Sequence, residues 1–320
     1  MFKVEDLVRA TKGTLLRGNL ADAVKGISID SRSIGRSFAF IAIKGDNFDG
    51  HDFVAQAIAR GARAVIIKPS PATARLISSH PGISFIAVRD TVRALGDIAS
   101  FHRARFNIPV ICVTGSSGKT TVKEMVAHVL GLKFNVLKNE GTKNNHIGVP
   151  LTLLRISPRH KAVVLEIGTN HFGEVRNLAS IARPNIGIIT NIGPAHLGYF
   201  KTLAGVYIEK VTLLDCLDEP RIAVLNADDY FLSKRLPRRE TRAFSLGFAI
   251  HKKSDFSASQ IKLKTKSAEF VLNKRHRYIL PNPGMQNIYN ALSAITVARI
   301  FGLGHQDIAA RLSDFILPPG

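Results

Sequence analysis

Short apolar runs alternate along the chain with stretches whose apolar residues recur every three or four positions. The runs over 37–43, 63–68, 83–88, 108–115, 162–168, 186–192 and 222–228 are of strand length and rich in Val, Ile and Phe. Helical spacing fills most of the gaps, most clearly over 53–60, 92–106, 119–132 and 287–301. Strands alternating with helices predict an α/β fold, with a mostly parallel sheet covered by helices on both faces. There is no internal repeat and no low-complexity segment.

At 320 residues the chain can hold two domains with cores of their own. A hydrophobic share of 45% makes it globular rather than disordered. A strand ends near residue 88, and a long helix then leads to the strand before a glycine-rich turn. The expected division is therefore a small N-terminal α/β domain over 1–88 and a larger domain over 89–317. The closing "LPPG" has linker chemistry, so 318–320 are expected to begin a connection to a further domain. No apolar run approaches the roughly 20 residues of a membrane span. The N-terminus mixes charges into an amphipathic pattern, so no signal peptide, no membrane contact and a cytoplasmic location are expected. Cys112 and Cys216 sit in apolar stretches and read as buried free thiols rather than a disulfide.

The net charge of +20 changes the picture. Between Leu232 and Pro281 there are 13 Lys or Arg against three acids, Glu240, Asp255 and Glu269, so half of the excess lies in one stretch. It contains "SKRLPRRETR", "IKLKTK" and "NKRHRY". Alternation such as "IKLKTK" predicts exposed strand edges guarded by lysine. Neither zinc-finger spacing nor an RNA-binding aromatic motif accompanies the charge, so a solvated basic surface is favoured over a nucleic-acid site.

The chemistry starts in "VTGSSGKTTVKEMVAHVL", 113–130. An apolar strand runs into Gly115, Ser116, Ser117, Gly118, Lys119, Thr120 and Thr121, and a helical stripe of Val122, Met125, Val126, Val129 and Leu130 follows. Small residues let successive N–H groups curl toward one point, and the helix start adds positive potential there. Lys119 supplies a charge for the terminal phosphates of a nucleotide, and Thr120 a hydroxyl for magnesium. The loop is shorter than the usual G-x-x-x-x-G-K-S/T pattern, with Val113 where the first glycine would stand.

Three further constellations stand beside it. Glu166 closes the strand in "VVLEIGTNHFGE", at the sheet edge where α/β ligands bind, and can serve a metal. Asn191 closes the next strand, and His196 follows in a Gly-Pro loop, where it is either a solvated loop residue or a ligand on the same rim. Asn287 and Asn290 share one face at the start of a helix. On pattern alone they read as capping residues, with nucleotide contact as the alternative.

The set "DSRSIGRSFAFIAIKGDNFDGHDFVAQAIARGARAVI", "TGSSGKTTVKEM", "NNHIGVPLTLLRI", "LEIGTNHFGEV", "TNIGPAHLGYF" and "GMQNIYNAL" resembles the Mur ligases, the ATP-dependent amide ligases of bacterial cell-wall precursor synthesis. The resemblance covers essentially the whole chain. It is strongest to the family member that joins D-alanyl-D-alanine to UDP-N-acetylmuramoyl-tripeptide. It implies an N-terminal domain for the UDP end of the substrate and a P-loop-type ATPase domain. A third domain, in a longer chain or separately encoded, would bind the dipeptide.

The resemblance also implies roles. Asp30, Ser31, Arg32, Lys44 and Asp46 match the UDP-substrate motifs, and Asn144 and Asn145 match a segment lining the acceptor. Gly115 to Thr121 hold ATP, with Asn287 and Asn290 beside the nucleotide. Lys119 contacts phosphates, Thr120 and Glu166 serve Mg2+, and His196 helps hold a second Mg2+. Lys210 matches a lysine that many members carry as a carbamate. Members commonly read A-K-G-E there, whereas this chain reads Glu209-Lys210-Val211-Thr212, and Gln286 stands where histidine is common. Two other readings compete: a related ligase with another acceptor, and a non-catalytic nucleotide-binding protein derived from one whose basic stretch contacts another macromolecule.

Overall fold

The computed structural model describes residues 1–236 and 244–317. The chain divides after Arg105 into two compact units.

In the first unit a five-stranded sheet runs in the order Thr14–Arg17, Ser84–Ala87, Ala64–Ile67, Ala39–Ile41, Ile27–Ser28. All neighbours are parallel except Thr14–Arg17, which pairs antiparallel at the edge. Ala64–Ile67 is buried at every position, the pattern of a strand covered on both faces. Helix starts follow local chemistry. Ser70 accepts from Thr73 N ahead of Pro71, and Asp90 accepts from Val92 N and Arg93 N.

The helix Thr91–Arg103 begins there and packs on Val4–Thr11, burying Leu95, Ile98 and Ala99. This helix therefore belongs to the first unit. The division falls at 105 rather than at the expected 88, because the apolar face of the helix is covered before the chain reaches the next strand.

The second unit holds a nine-stranded sheet. Its order is His276–Leu280, Ala268–Leu272, Phe256–Leu263, Phe244–Ala249, Ile222–Asn226, Ile186–Ile189, Val110–Thr114, Ala162–Glu166, Val136–Lys138. Pairing is parallel from Val136–Lys138 as far as Phe256–Leu263, and antiparallel over the last three strands. Val110–Thr114 and Ala162–Glu166 are buried throughout, which explains their unbroken apolar runs. Ala162–Glu166 and Ile186–Ile189 flank Val110–Thr114, so the chain crosses over the central strand between them and opens a crevice at the carboxyl ends. The helices Lys119–Leu130 and Met285–Ile300 pack together over the sheet.

The basic stretch maps onto the antiparallel strands. Parallel pairing of Phe256–Leu263 reaches only Phe256 and Ser257, so "IKLKTK" leaves the sheet paired with the Ala268–Leu272 strand on one side. Glu269 is bracketed by Lys264 and by Arg277, the latter at 2.6 Å. Much of "SKRLPRRETR" and nearly all of "LPPG" lie outside the described residues. Cys112 is buried, whereas Cys216 is only half-buried, and both are free thiols. Among the described residues no helix is long and apolar enough to cross a membrane.

Candidate active site

The strand Val110–Thr114 delivers the glycine loop to the crevice, and two glycines shape it. Gly115 has φ +153°, and a Cβ there would lie 1.9 Å from Thr190 Oγ1. Gly118, at φ +79°, precedes the helix, and its Cβ would lie 2.7 Å from Asn290 Oδ1. Positive φ and close approach together make a side chain strained at both positions.

The loop is clamped to the end of the neighbouring strand. Ser116 Oγ donates to Gly193 O over 2.8 Å and accepts from Gly193 N over 2.9 Å. Ser117 N donates to Asn191 Oδ1 over 3.0 Å, and Thr190 Oγ1 donates to Ser117 O over 2.6 Å. The first N–H groups of the following helix have no partner within the helix, so a clamped loop presents a fixed set of donors to an anion. Lys119 Nζ lies on the same loop, donating to Gly115 O over 3.0 Å and to Ser116 O over 3.3 Å. Burial pushes its pKa below the usual lysine value, and the nearby Glu166 charge opposes that shift.

Glu166 is 1% exposed, yet both carboxylate oxygens are satisfied. Thr120 Oγ1 donates to Oε2 over 2.7 Å, and Asn144 Nδ2 donates to Oε1 over 2.6 Å. Its backbone is held by one side chain: Glu166 N donates to Asn139 Oδ1 over 2.9 Å, and Asn139 Nδ2 donates to Glu166 O over 3.1 Å. These groups open on a cleft of about 570 Å³ lined by Lys119, Thr120, Thr121, Asn144, Asn145, Glu166 and His196 among others. A hydroxyl and a carboxylate beside a roomy polar cleft fit magnesium, a hard cation that keeps several of its waters. Among the described residues there is no cluster of three or more His, Cys, Asp or Glu, so an all-protein metal cage is not what this site offers.

The remaining expected residues fall into place unevenly. His196, exposed and at φ +50°, lies on the cleft rim with its ring edge-on to Phe200. Asn145 also lines the cleft, but its Oδ1 caps the next helix by accepting from Ile147 N and Gly148 N. Asn290 is 3% exposed and abuts Gly118, whereas Asn287 Nδ2 donates back to Pro283 O over 2.8 Å. Asn287 therefore makes a local bond at the helix start, and capping of free N–H groups is not its role.

Lys210, on the helix Leu203–Asp215, is 2% exposed. Burial, with repulsion from Lys119, lowers its pKa to about 8 against the partial opposition of Glu209. Glu209 accepts from Gly173 N, Val175 N and Thr169 Oγ1, capping the helix Glu174–Ala182.

The first unit carries a separate cavity of about 530 Å³ lined by Asp30, Ser31, Arg32, Phe48, Phe53 and Gln56 among others. Arg32 forks onto Asp30 with two contacts of 3.0 Å and holds its carboxyl down at about 2, while Ser31 Oγ donates to Gln56 Oε1 over 2.6 Å. Lys44 and Asp46 sit on the exposed turn nearby and do not line this cavity.

Sequence reasoning missed Lys123, Asn139 and Thr190. Lys123 sits beside the apolar stripe and gave no sign of burial. The other two act through bonds that only the folded sheet creates.

The family model for the Mur ligase middle domain matches residues 113–298, and that for the Mur ligase family catalytic domain matches 23–103. The chain belongs to the Mur ligase family. The UDP-N-acetylmuramoyl-tripeptide–D-alanyl-D-alanine ligase of Escherichia coli K12 is 36% identical over 318 residues, covering 96% of this chain and 67% of the relative. A crystal structure of MurF from Acinetobacter baumannii superposes with a TM-score of 0.89 at 32% identity, covering 100% of this chain and 69% of that one. MurF ligase from Thermotoga maritima, solved in complex with ADP, has a TM-score of 0.83 at 27% identity, over 93% of this chain and 67% of its own. The chain thus spans about two thirds of the length of the curated relatives it matches. Each unit contains one of the two Mur ligase matches, as the quoted motifs had implied.

Proposed function

We propose that this chain provides the substrate-activating part of an ATP- and magnesium-dependent amide ligase of peptidoglycan precursor synthesis in the cytoplasm. The ligase joins D-alanyl-D-alanine to UDP-N-acetylmuramoyl-tripeptide. The observation that carries the reading is the meeting of Lys119, Thr120, Glu166 and Asn144 at one end of the parallel sheet. Names of the relatives support the substrate pair.

A carboxylate is a poor acyl donor, so the γ-phosphoryl group of ATP passes to the tripeptide carboxylate and leaves ADP and an acyl phosphate. The amine of the dipeptide then displaces phosphate to form the amide. Crowding of negative charge is the main obstacle, and positioning with charge neutralisation answers it. The amides of 115–121 and the Lys119 ammonium receive the phosphates. Asn290, packed on Gly118, and Asn287 stand toward the nucleoside. Thr120 and Glu166 would hold magnesium, and His196 a second ion; bound there, the metal neutralises phosphate charge. Asn144 and Asn145 line the side of the acceptor. The cavity at Asp30, Ser31 and Arg32 is assigned to the UDP end, with Lys44 and Asp46 at its approach. Lys210 is read as the carbamate-forming lysine, since a buried amine with a lowered pKa has more of the neutral form that reacts with carbon dioxide.

Hydroxylamine trapping tests this without the dipeptide. Purified chain, Mg2+-ATP and UDP-N-acetylmuramoyl-tripeptide should give ADP, phosphate and an acyl hydroxamate, and Lys119→Ala should abolish it. Mg2+-ATP binding without hydroxamate would favour the non-catalytic alternative, and no affinity for Mg2+-ATP would overturn both readings.

A further inference from the structure

Lys123 is the most deeply buried charge in the second unit's phosphate-loop helix, 0% exposed and one turn beyond Lys119. Its Nζ donates to Asn139 O over 2.8 Å and to Gly141 O over 3.0 Å, and pairs with Glu124 at 3.1 Å. A fully buried lysine beside the apolar stripe of a helix needs a reason, because a Met or Leu would fill the same space without desolvating an ammonium. The partners supply one. Asn139, also 0% exposed, holds both backbone groups of Glu166 and donates a further bond to Lys143 O over 2.9 Å. Five residues on, Asn144 holds Glu166 Oε1, and Gly168 N donates to Asn144 O over 2.9 Å. The segment from Asn139 to Asn144 therefore wraps Glu166 on its backbone and on one oxygen, and Lys123 ties the start of that segment to the helix that carries Thr120.

We infer that Lys123 and Asn139 are positioning residues for the pair that would hold magnesium, keeping the Glu166 carboxylate within 2.7 Å of Thr120 Oγ1. The inference rests on the nucleotide and magnesium reading of the cleft. Neither residue lines the cleft, so their effect reaches it through Glu166 and through the segment that carries Asn144. Groups that orient a metal-binding side chain typically change metal affinity by about 10- to 100-fold when removed.

The test measures affinity for a non-hydrolysable ATP analogue by calorimetry, in EDTA and across a Mg2+ series. Lys123→Met should keep the metal-free affinity within about twofold and raise the Mg2+ concentration for half-maximal enhancement by about tenfold or more. Asn139→Ser, whose side chain cannot reach both backbone groups, should give the same split and carries the test if Lys123→Met does not fold. Val129→Ala, a buried truncation in the same helix away from this network, controls for lost stability and should leave the Mg2+ midpoint in place. A parental midpoint in Lys123→Met and Asn139→Ser overturns the inference, as does an equal shift in Val129→Ala. No analogue binding by the unaltered chain, with or without Mg2+, would instead overturn the reading of the cleft.

Discussion

Thr120 Oγ1 donates to Glu166 Oε2 over 2.7 Å, so the first turn of the phosphate-loop helix and the end of the adjacent strand meet on one buried carboxylate. With Asn144 on the other oxygen, each oxygen of the negatively charged carboxylate side chain accepts from one neutral donor. Glu166→Gln removes that charge and little else. The amide oxygen still accepts from Asn144, and the Thr120 hydroxyl turns from donor to acceptor. Melting should therefore shift little, while hydroxamate formation falls by about 100-fold or more. Thermal melting beside the trapping assay separates the two effects, and equal losses in both would show a structural role only.

Gly115 and Thr190 make a steric prediction. A methyl group at Gly115 would lie 1.9 Å from Thr190 Oγ1, in a backbone region that L residues avoid. That hydroxyl also holds Ser117 O, so Gly115→Ala must either move Thr190 and break the clamp or re-bend the loop. A loss of about 1–3 kcal/mol in unfolding free energy is expected, with nucleotide affinity reduced at least about tenfold. Gly193→Ala is the contrast. Its Cβ would meet Ser116 Cβ at 3.7 Å, an ordinary contact, so urea denaturation should show a change within about 0.5 kcal/mol.

Much of this was legible in the sequence, and the limit has a physical cause. Strands such as Val110–Thr114 and Ala162–Glu166 announce themselves because burial on both faces leaves an unbroken apolar run. The loop and its helix follow from glycines and 3.6-residue spacing, which are local properties. Strand order is not local: nothing in the run at 186–189 says that it pairs with Val110–Thr114 across the sheet from Ala162–Glu166. Asn139 and Glu166 are 27 residues apart, and their pair of hydrogen bonds exists only once the strands are ordered. The helix Thr91–Arg103 was recognised, but its allegiance to Val4–Thr11 was not, because either neighbouring core could have covered its apolar face.

Glu209 illustrates a residue whose position suggests chemistry and whose bonds show support. It is 1% exposed and accepts from Gly173 N over 2.7 Å, Val175 N over 2.8 Å and Thr169 Oγ1 over 3.3 Å. A carboxylate at a helix start also gains from the positive end of the helix. Glu209→Ala would strand the buried Val175 N and leave the exposed Gly173 N to solvent, while Thr169 Oγ1 keeps His171 O, so a loss of about 1–3 kcal/mol is expected by chemical denaturation. Affinity for Mg2+-nucleotide, measured well below the melting point, should change less than threefold. A large affinity loss with unchanged stability would move Glu209 into the binding machinery.

Lys210 gives the pH prediction. Its folded pKa of about 8 lies below the ordinary value of 10.5, because burial and the Lys119 charge disfavour the ammonium. Below pH 8 both folded and unfolded chains hold the proton, and the folded state bears the whole cost of the buried charge. Between 8 and 10.5 the folded state releases its proton first. The unfolded chain then binds more protons, so stability attributable to this group rises with pH. Above 10.5 the cost is gone. The shift corresponds to about 3 kcal/mol. Other groups titrate in the same range, so the measurement is a difference: Lys210→Met should be more stable than the parent by about that amount at pH 7, with the gap closing toward pH 10.5. Carbamate formation, in which the neutral amine adds carbon dioxide and releases a proton, replaces the ammonium with an anion. Bicarbonate should then change the parent's melting temperature and leave Lys210→Met unmoved, and a 13C carbamate resonance should appear in the parent alone. A gap that stays constant from pH 7 to 10.5 would mean that Lys210 is not held below its ordinary pKa.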